Sequence, residues 1–456
     1  MRRIDLLAFL AFLFSGARDA VAQSDAALRH RLDAIAGADV AEKRAVGLVI
    51  GVVKGKDQLL LQAYGNADAQ ANVPMTVNTV IPIASVTKQF TAAAILQLRD
   101  AGKLSLDDPM TKWLPEFEAR DNGITLRHLL GHAAGIPEMG QMQELRAVRL
   151  IMNPDVTRDS VYQIISRYAP QFPAGTMQVY SNTGYWLLGR VVEQASGMTY
   201  EEYVAKRIFE PLGMTRSMYC DNSKNIPDRA YGHGLQNGVT GRAPSIVYTA
   251  VYAAGAICST AGDMITWLQS LHGGKVLSPT SYAEMIAPYR LADGTQTRYG
   301  MGLIVWNDSR GLRQIGHGGG GFGFSSQAWW HPDTQLAVVI LTNSEPDNTT
   351  AIAEALTAAV LPAGRAAPTF TGDASPLIGT YSGRRGSSEM VIAVTATPQG
   401  LAASIDGAAP IPLTWIEGRT FRTRAPQLTF RRDGNSGPAS ELRFDTGGDH
   451  IILKRQ

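Results

Sequence analysis

The stretch IPIASVTKQFTAAAILQL, Ile81–Leu98, decides how the rest of the chain is read. Ala92, Ala93, Ala94, Ile95, Leu96 and Leu98 leave almost no polar face, which predicts a helix inside the protein. A polar Ser-Val-Thr-Lys cluster at the mouth of such a helix either caps it or does chemistry. Residues three apart share a helix face, so Ser85 Oγ and the Lys88 ammonium can meet. A serine alone is a poor nucleophile, and a desolvated amine beside it can help take its proton. The helix N-terminus also favours developing negative charge. The competing reading is an ordinary serine N-cap beside a solvated lysine. A lone Ser-x-x-Lys favours that plainer reading, so other features must decide.

Composition bounds the answer. The chain has 456 residues, 45% hydrophobic and 18% charged, which is globular and long enough for more than one domain. Lysine plus arginine number 42 against 40 acidic residues, a net charge of +2 with no basic block, which argues against a nucleic-acid or polyanion partner. The N-terminus opens with Arg2 and Arg3, continues through a short apolar core from Leu6 to Phe14, and ends in Ala20-Val21-Ala22. This is the pattern of a secretory signal, residues 1–22, cleaved after Ala22. A membrane span needs roughly 18 or more apolar residues, and this core is shorter. No cysteine near the cleavage site offers a lipoprotein anchor. The expectation is an exported protein, periplasmic or secreted, with no membrane span after cleavage. Export permits a disulfide between Cys220 and Cys258, and two buried free thiols remain the equal alternative. That count and spacing exclude a zinc ribbon or a CxxC redox site.

Coarsely, the chain reads in three parts. A helix near Ala26–Ile35 leads into VGLVIGVVKGKDQLLLQAYG, Val46–Gly65, a predicted β-hairpin. Helical patterns dominate from Ser85 to about Leu271, and strand signals return in YGMGLIVW and TQLAVVILTN. AAPTFTGDASP, Ala366–Pro376, reads as a linker. Short alternating runs then follow at even spacing (MVIAVTA, PIPLTWI, RTFRTR, HIILK), the pattern of a small all-β barrel or sandwich.

Two further motifs settle the opening question. FPAGTMQVYSNTGYWLLGR carries Tyr180-Ser181-Asn182 before a strongly helical run, and IGHGGGGFGFSSQAWW carries His317-Gly318-Gly319 before a strand. With Ser85-x-x-Lys88, these motifs in this order resemble the serine β-lactamase and penicillin-binding protein superfamily, closest to its class C-like branch with related esterases and D-amino-acid peptidases. GKLSLDDPMTKWLPEF, ITLRHLLGHAAGIP and GAICSTAGDM are similar to that family's connecting segments. The resemblance covers roughly Ala26–Glu345.

It implies an α/β (α+β) β-lactamase-like fold, an antiparallel sheet flanked by helices plus a mostly helical region, with the site in the cleft between them. The expected division is a serine hydrolase domain over 23–365, a linker over 366–375 and a small, lipocalin-like all-β domain over 376–456. Ser85 would be the acylated nucleophile and Lys88 the cation that activates it. Tyr180 would be the general base, its phenolate favoured by the charge of Lys88. Asn182, His317, Gly318 and Gly319 would bind substrate, and the backbone N–H groups of Ser85 and Gly320 would form the oxyanion hole. No cofactor or metal is implied, and the partner is a small-molecule or peptide substrate.

The third motif departs from the β-lactamase pattern, which carries Lys-Thr-Gly where this chain has His317-Gly318-Gly319. A lysine there is permanently charged for a substrate carboxylate, whereas a histidine near its ordinary pKa is charged only part of the time. The expectation is therefore an amide- or ester-cleaving enzyme acting on a D-amino-acid-containing peptide, a β-lactam-like amide or a small ester. The alternative is a covalent penicillin- or peptide-binding protein without efficient turnover. Rival motifs are weak. Gly316, Gly318 and Gly321 satisfy G-x-G-x-x-G but precede a strand pattern, not a helix. His128 and His132 are four apart with Gly131 between them and no glutamate, and His132 reads as a structural loop residue.

Overall fold

The computed structural model describes residues 26–456 apart from 121–122, 237–238, 308–310, 346, 362–369, 387, 424–425 and 433–436. The expected signal peptide, and residues 366–369 of the expected linker, lie outside the described residues. Helix α1 (residues 26–41) precedes β1 (Gly47–Lys54), β2 (Asp57–Asp68) and β3 (Val73–Pro74). The middle of the chain supplies α2 (Thr87–Asp100), α3 (Asn182–Ser196), α4 (Tyr248–Gly255) and α5 (Ala261–His272). Strands β4 (Ile304–Asn307), β5 (Arg313–Gly321), β6 (Phe324–His331) and β7 (Leu336–Thr342) follow, then α6 (Thr349–Val360).

The seven strands form one antiparallel sheet in the order β3-β2-β1-β7-β6-β5-β4. Strands β1 and β7, at its centre, are buried on both faces, which is why LVIGVV and LAVVILT read as unbroken apolar runs. Alternation sorts their side chains between two cores. Val49, Val53, Val339 and Leu341 face the helical region with α2 and α5, while Leu48, Ile50, Val338 and Ile340 pack on α1 and α6 through Leu32, Ala36, Ile352 and Leu356. Helix α2 is buried from Thr87 to Leu96 against α3 and α4, and Phe90 stacks on Trp267 of α5, a helix that lies on the sheet, with centroids 4.0 Å apart.

The tail is a closed eight-stranded barrel: β8 (Gly379–Arg385), β9 (Ser388–Thr397), β10 (Gly400–Ile405), β11 (Ile411–Glu417), β12 (Thr420–Arg422), β13 (Gln427–Arg431), β14 (Glu441–Asp445) and β15 (His450–Arg455). Neighbouring strands pair in sequence, and β8 closes onto β15, which decides for a barrel over a sandwich. It has a core of its own, including Tyr381, Ile392, Phe430, Leu442 and Ile451.

The barrel is docked on the preceding sheet-and-helix region through polar contacts. Arg298 Nε donates to Asp445 Oδ1 at 2.9 Å, Arg443 pairs with Asp293 at 2.9 Å, and His450 N donates to Gln178 O at 2.9 Å. Cys220 and Cys258 form a disulfide, with Cα atoms 5.3 Å apart. Cys258 lies on a short strand, Ile257–Ser259, that pairs with Ile81–Pro82 just ahead of Ser85. The cross-link thus braces the strand beside the Ser85 turn.

Candidate active site

Ser85 sits in a single 3-10 turn, Ala84–Val86, that feeds directly into α2. Ala84 has φ +46°, a left-handed conformation that costs a non-glycine residue about 1–3 kcal/mol and is held only where its surroundings demand it. Ser85 does not cap the helix: the N-cap is Val86, with no side-chain cap bond. The plain reading of Ser-x-x-Lys therefore fails on geometry.

Lys88, on the first turn of α2, is fully buried, and its Nζ makes three contacts: Ser85 Oγ at 3.2 Å, Asn182 Oδ1 at 2.8 Å and Ala254 O at 2.9 Å. Burial lowers its pKa to about 7, against a smaller upward pull from Glu138. The Ala254 carbonyl belongs to α4, whose helical path is broken at Tyr252 (φ +37°, ψ −131°). The carbonyl of Ala253 in turn accepts from Thr91 Oγ1 at 2.6 Å. The break accompanies two carbonyls that face the first two turns of α2.

Asn182 begins α3. Its Nδ2 donates to Glu138 Oε1 at 3.0 Å, which fixes Oδ1 toward Lys88. Glu138 Oε2 accepts the backbone N–H groups of Asn182 at 2.7 Å and Thr183 at 3.4 Å, a carboxylate on a helix N-terminus. Sequence reasoning missed Glu138. The only trace of it was its place one residue after AAGIP.

Tyr180 lies against Lys88, with Nζ 4.8 Å from the ring centroid. Its hydroxyl is closed off from solvent and makes no hydrogen bond of normal geometry among the described residues, although the residue as a whole is only partly buried. Burial pushes the Tyr180 pKa up, against a smaller downward pull from the Ser85 hydroxyl. The Lys88 ammonium lies over the Tyr180 ring, and burial favours the neutral phenol over the expected phenolate.

His132, read from sequence as a loop residue, lies under this tyrosine at φ +58°. Its ring is 4.3 Å from that of Tyr180 and 4.5 Å from Tyr299, and Nδ1 accepts from Ser181 N at 3.1 Å. Burial, then the charge of Lys88, pushes its pKa well down, so it is neutral. His128 instead closes a capping box with Thr125 on its own short helix, so the two histidines share no ligand site.

His317 is the second correction. It is 4% exposed, its Nδ1 contacts Gly318 O, and its Nε2 accepts from the Tyr299 hydroxyl at 3.1 Å. Burial, then Lys88, lowers its pKa to about 3. The expected imidazole titrating near neutrality is a neutral, doubly bonded side chain 6.0 Å from the Tyr180 ring.

The glycines after His317 run along β5 beside the Ser85 turn. A Cβ on Gly319 would stand 2.5 Å from Ile83 O and 2.8 Å from Ser85 N, so only glycine lets the strand approach this closely. A Cβ on Gly318 would instead meet the Gln327 side chain at 3.1 Å. Gly320 is exposed at the strand's end. Ser326 Oγ donates to Ile83 O at 2.8 Å, tying β6 to the same turn.

On the other side of Tyr180, a cavity of about 320 Å³ lies between the helical region and the barrel, walled by Glu138, Tyr180, Ser181, Arg385, Met390 and Asp406 among others. Among the described residues no group of three potential ligands is placed to hold a metal.

A buried amine with a lowered pKa touching a serine hydroxyl, with a phenol alongside, is an arrangement for acyl transfer. Residues 32–361 match the family described as Beta-lactamase, and the chain belongs to that family. It is a hydrolase of the β-lactamase and penicillin-binding protein type. The chain is 30% identical over 321 residues to penicillin-binding protein 4* of Bacillus subtilis (strain 168), covering 67% of this chain and 70% of that protein. It is 28% identical over 301 residues to the D-aminopeptidase of Brucella anthropi, covering 66% of this chain but only 56% of that protein. The structure of the octameric penicillin-binding protein homologue from Pyrococcus abyssi superposes over 93% of this chain and 99% of that one, with a TM-score of 0.64 and 25% identity.

Proposed function

We propose that the protein is an exported serine hydrolase that cleaves an amide or ester through an acyl-enzyme on Ser85, acting on a D-amino-acid-containing peptide or amide or on a small ester. One observation carries the reading. Of the three groups touching Lys88 Nζ, Asn182 Oδ1 and Ala254 O can only accept hydrogen bonds. When Lys88 is neutral, its two N–H bonds go to those acceptors and its lone pair is left facing Ser85 Oγ. With a pKa of about 7, that neutral form is well populated at neutral pH.

The steps then follow. Ser85 Oγ attacks the carbonyl carbon while its proton passes to Lys88 Nζ. Negative charge develops on the carbonyl oxygen, toward the backbone N–H groups of Ser85 and Gly320. Tyr180, a phenol without a hydrogen-bond partner among the described residues, gives its proton to the departing amine or alkoxide and is reprotonated from the Lys88 ammonium. The bond to the leaving group breaks and the acyl-enzyme remains. Water, losing a proton along the same path, then attacks the ester and frees Ser85. The relatives named D-aminopeptidase and penicillin-binding protein support the amide and D-amino-acid part of this reading. Neutral His317 supplies no positive charge for a substrate carboxylate, which favours uncharged esters and amides over β-lactams. Export is supported by the N-terminal pattern and by the Cys220–Cys258 disulfide, a bond suited to an oxidising compartment. Among the described residues no helix is long and apolar enough to cross a membrane.

The test is turnover of a chromogenic ester and a D-alanyl amide, with fluorophosphonate labelling of wild type and Ser85→Ala. Repeated turnover, and loss of label in the folded mutant, are expected. Stoichiometric labelling without product release would make this a covalent binding protein, and label persisting at another serine would end the assignment.

A further inference from the structure

The turn between β14 and β15, Asp445–His450, reaches out of the barrel to the back of Tyr180. Asp449 Oδ1 accepts the backbone N–H of Tyr180 at 2.8 Å. The next N–H along, that of Ser181, is held from the opposite side by His132 Nδ1 at 3.1 Å. One residue before Tyr180, Val179 N donates to His132 O at 3.0 Å, and one before that, Gln178 O accepts from His450 N. Consecutive peptide groups around Tyr180 are thus gripped alternately by the helical region and by the barrel.

The gripping turn is itself rigidly built. Asp445 is buried and accepts from Arg298 Nε at 2.9 Å, Gly447 N at 2.7 Å and His450 Nδ1 at 3.0 Å. Thr446 N donates to Asp449 O, and Asp449 N to Thr446 Oγ1, each at 2.9 Å. Asp449 is 3% exposed, and its second oxygen pairs with Arg385 at 2.6 Å. Gly448 lies flat on the tyrosine: a Cβ there would stand 2.9 Å from Tyr180 Cδ2, and its three nearest neighbours are all Tyr180 atoms.

We infer that Asp449, carried by the C-terminal barrel, is a positioning residue for the reaction, setting the place of the Tyr180 hydroxyl over Ser85 through the Tyr180 backbone, with Gly448 as the face against which the ring rests. This rests on the role given to Tyr180 above. Asp449 touches neither Ser85 nor Lys88 and acts only by where it holds Tyr180. On this view the barrel is part of the catalytic apparatus and not a separable appendage.

The test is steady-state hydrolysis of D-alanyl p-nitroanilide, whose amine leaving group needs the Tyr180 proton, by the full-length chain. Asp449→Ala and Gly448→Ala should each lower kcat roughly 10- to 100-fold, the cost of a misplacement of about 1 Å, with KM little changed. Asp449→Asn keeps an oxygen acceptor for the Tyr180 N–H and should retain most of the rate. In a Tyr180→Phe background, Asp449→Ala and Gly448→Ala should add little further loss, because the hydroxyl they position is gone. Gly448 is outside the left-handed region, so its alanine variant tests the idea even if Asp449→Ala fails to fold. Undiminished rates in both single variants, equal impairment of the Asn and Ala variants, or full additivity with Tyr180→Phe would each overturn the inference. If Tyr180→Phe alone keeps the wild-type rate, the fault lies with the reading of Tyr180 itself.

Discussion

Removing the charge of Glu138 should shift the pH at which the enzyme switches on. A lysine that takes a proton from serine works only when neutral, so acylation is present above its folded pKa and lost as pH falls through it. With Lys88 at about 7, the acid limb of kcat/KM falls there, far below a free lysine. Glu138 opposes the burial that lowers this value. The carboxylate reaches Lys88 through the Asn182 amide, by hydrogen bonds of 3.0 and 2.8 Å. Unit charges roughly 8 Å apart interact by about 2 kcal/mol at an effective dielectric near 20, equivalent to about 1.5 pH units. Glu138→Gln should therefore move the limb down by roughly 1 to 1.5 units on that scale. A second effect has the same sign. The new amide sets an NH₂ group against the Asn182 donors, and a flipped Asn182 would give Lys88 a donor in place of an acceptor. That also favours neutral Lys88, but it occupies the lone pair meant for Ser85, so the plateau rate should fall while the limb moves down. The assay is the pH dependence of kcat/KM on an uncharged chromogenic ester, with circular dichroism confirming the fold at each pH. A limb that stays near 7, or moves up, would refute the assignment of the base to Lys88.

His317→Asn should leave the acid limb in place both on an uncharged ester and on a substrate bearing a carboxylate, because the imidazole is already neutral across that range; loss of the limb in paired pH–rate profiles would restore a titrating histidine. Arg298→Met should destabilise the full chain by about 3–5 kcal/mol in denaturant unfolding, the usual cost of stranding one partner of a buried ion pair, since among the described residues it leaves the buried Asp445 carboxylate with His450 Nδ1 and the Gly447 N–H. An unchanged midpoint would show that the Arg298–Asp445 pair does not help hold the fold together.

What the sequence disclosed, and what it hid, follows from where each group's partners lie along the chain. Ser85 and Lys88 are three residues apart, so helix geometry alone brings them together. The two-sided burial of β1 and β7 was likewise legible, because a strand covered on both faces must be apolar at every position. The β-barrel showed through its period-two alternation. The ionisation states were not legible, because desolvation depends on what covers a group. Lys88 is covered by Asn182 and by the Ala254 carbonyl of a helix broken at Tyr252, and nothing local to VYAAGA announces that break. His317 looked like a switch because its free pKa lies near neutrality; the Tyr299 hydroxyl and the Gly318 carbonyl convert it into a fixed acceptor and donor. Glu138 and Asp449 escaped notice for a further reason: they bind backbone N–H groups, of Asn182, Thr183 and Tyr180, and a backbone partner leaves no mark in a sequence. The nucleophile and its amine are thus specified locally, whereas their protonation and the place of the tyrosine are set by contacts between segments more than 40 residues apart in every case, 269 residues apart for Asp449. Changes in those distant segments should accordingly alter pH profile and rate while leaving the three motifs intact, which is why motifs alone cannot rank members of this family by activity.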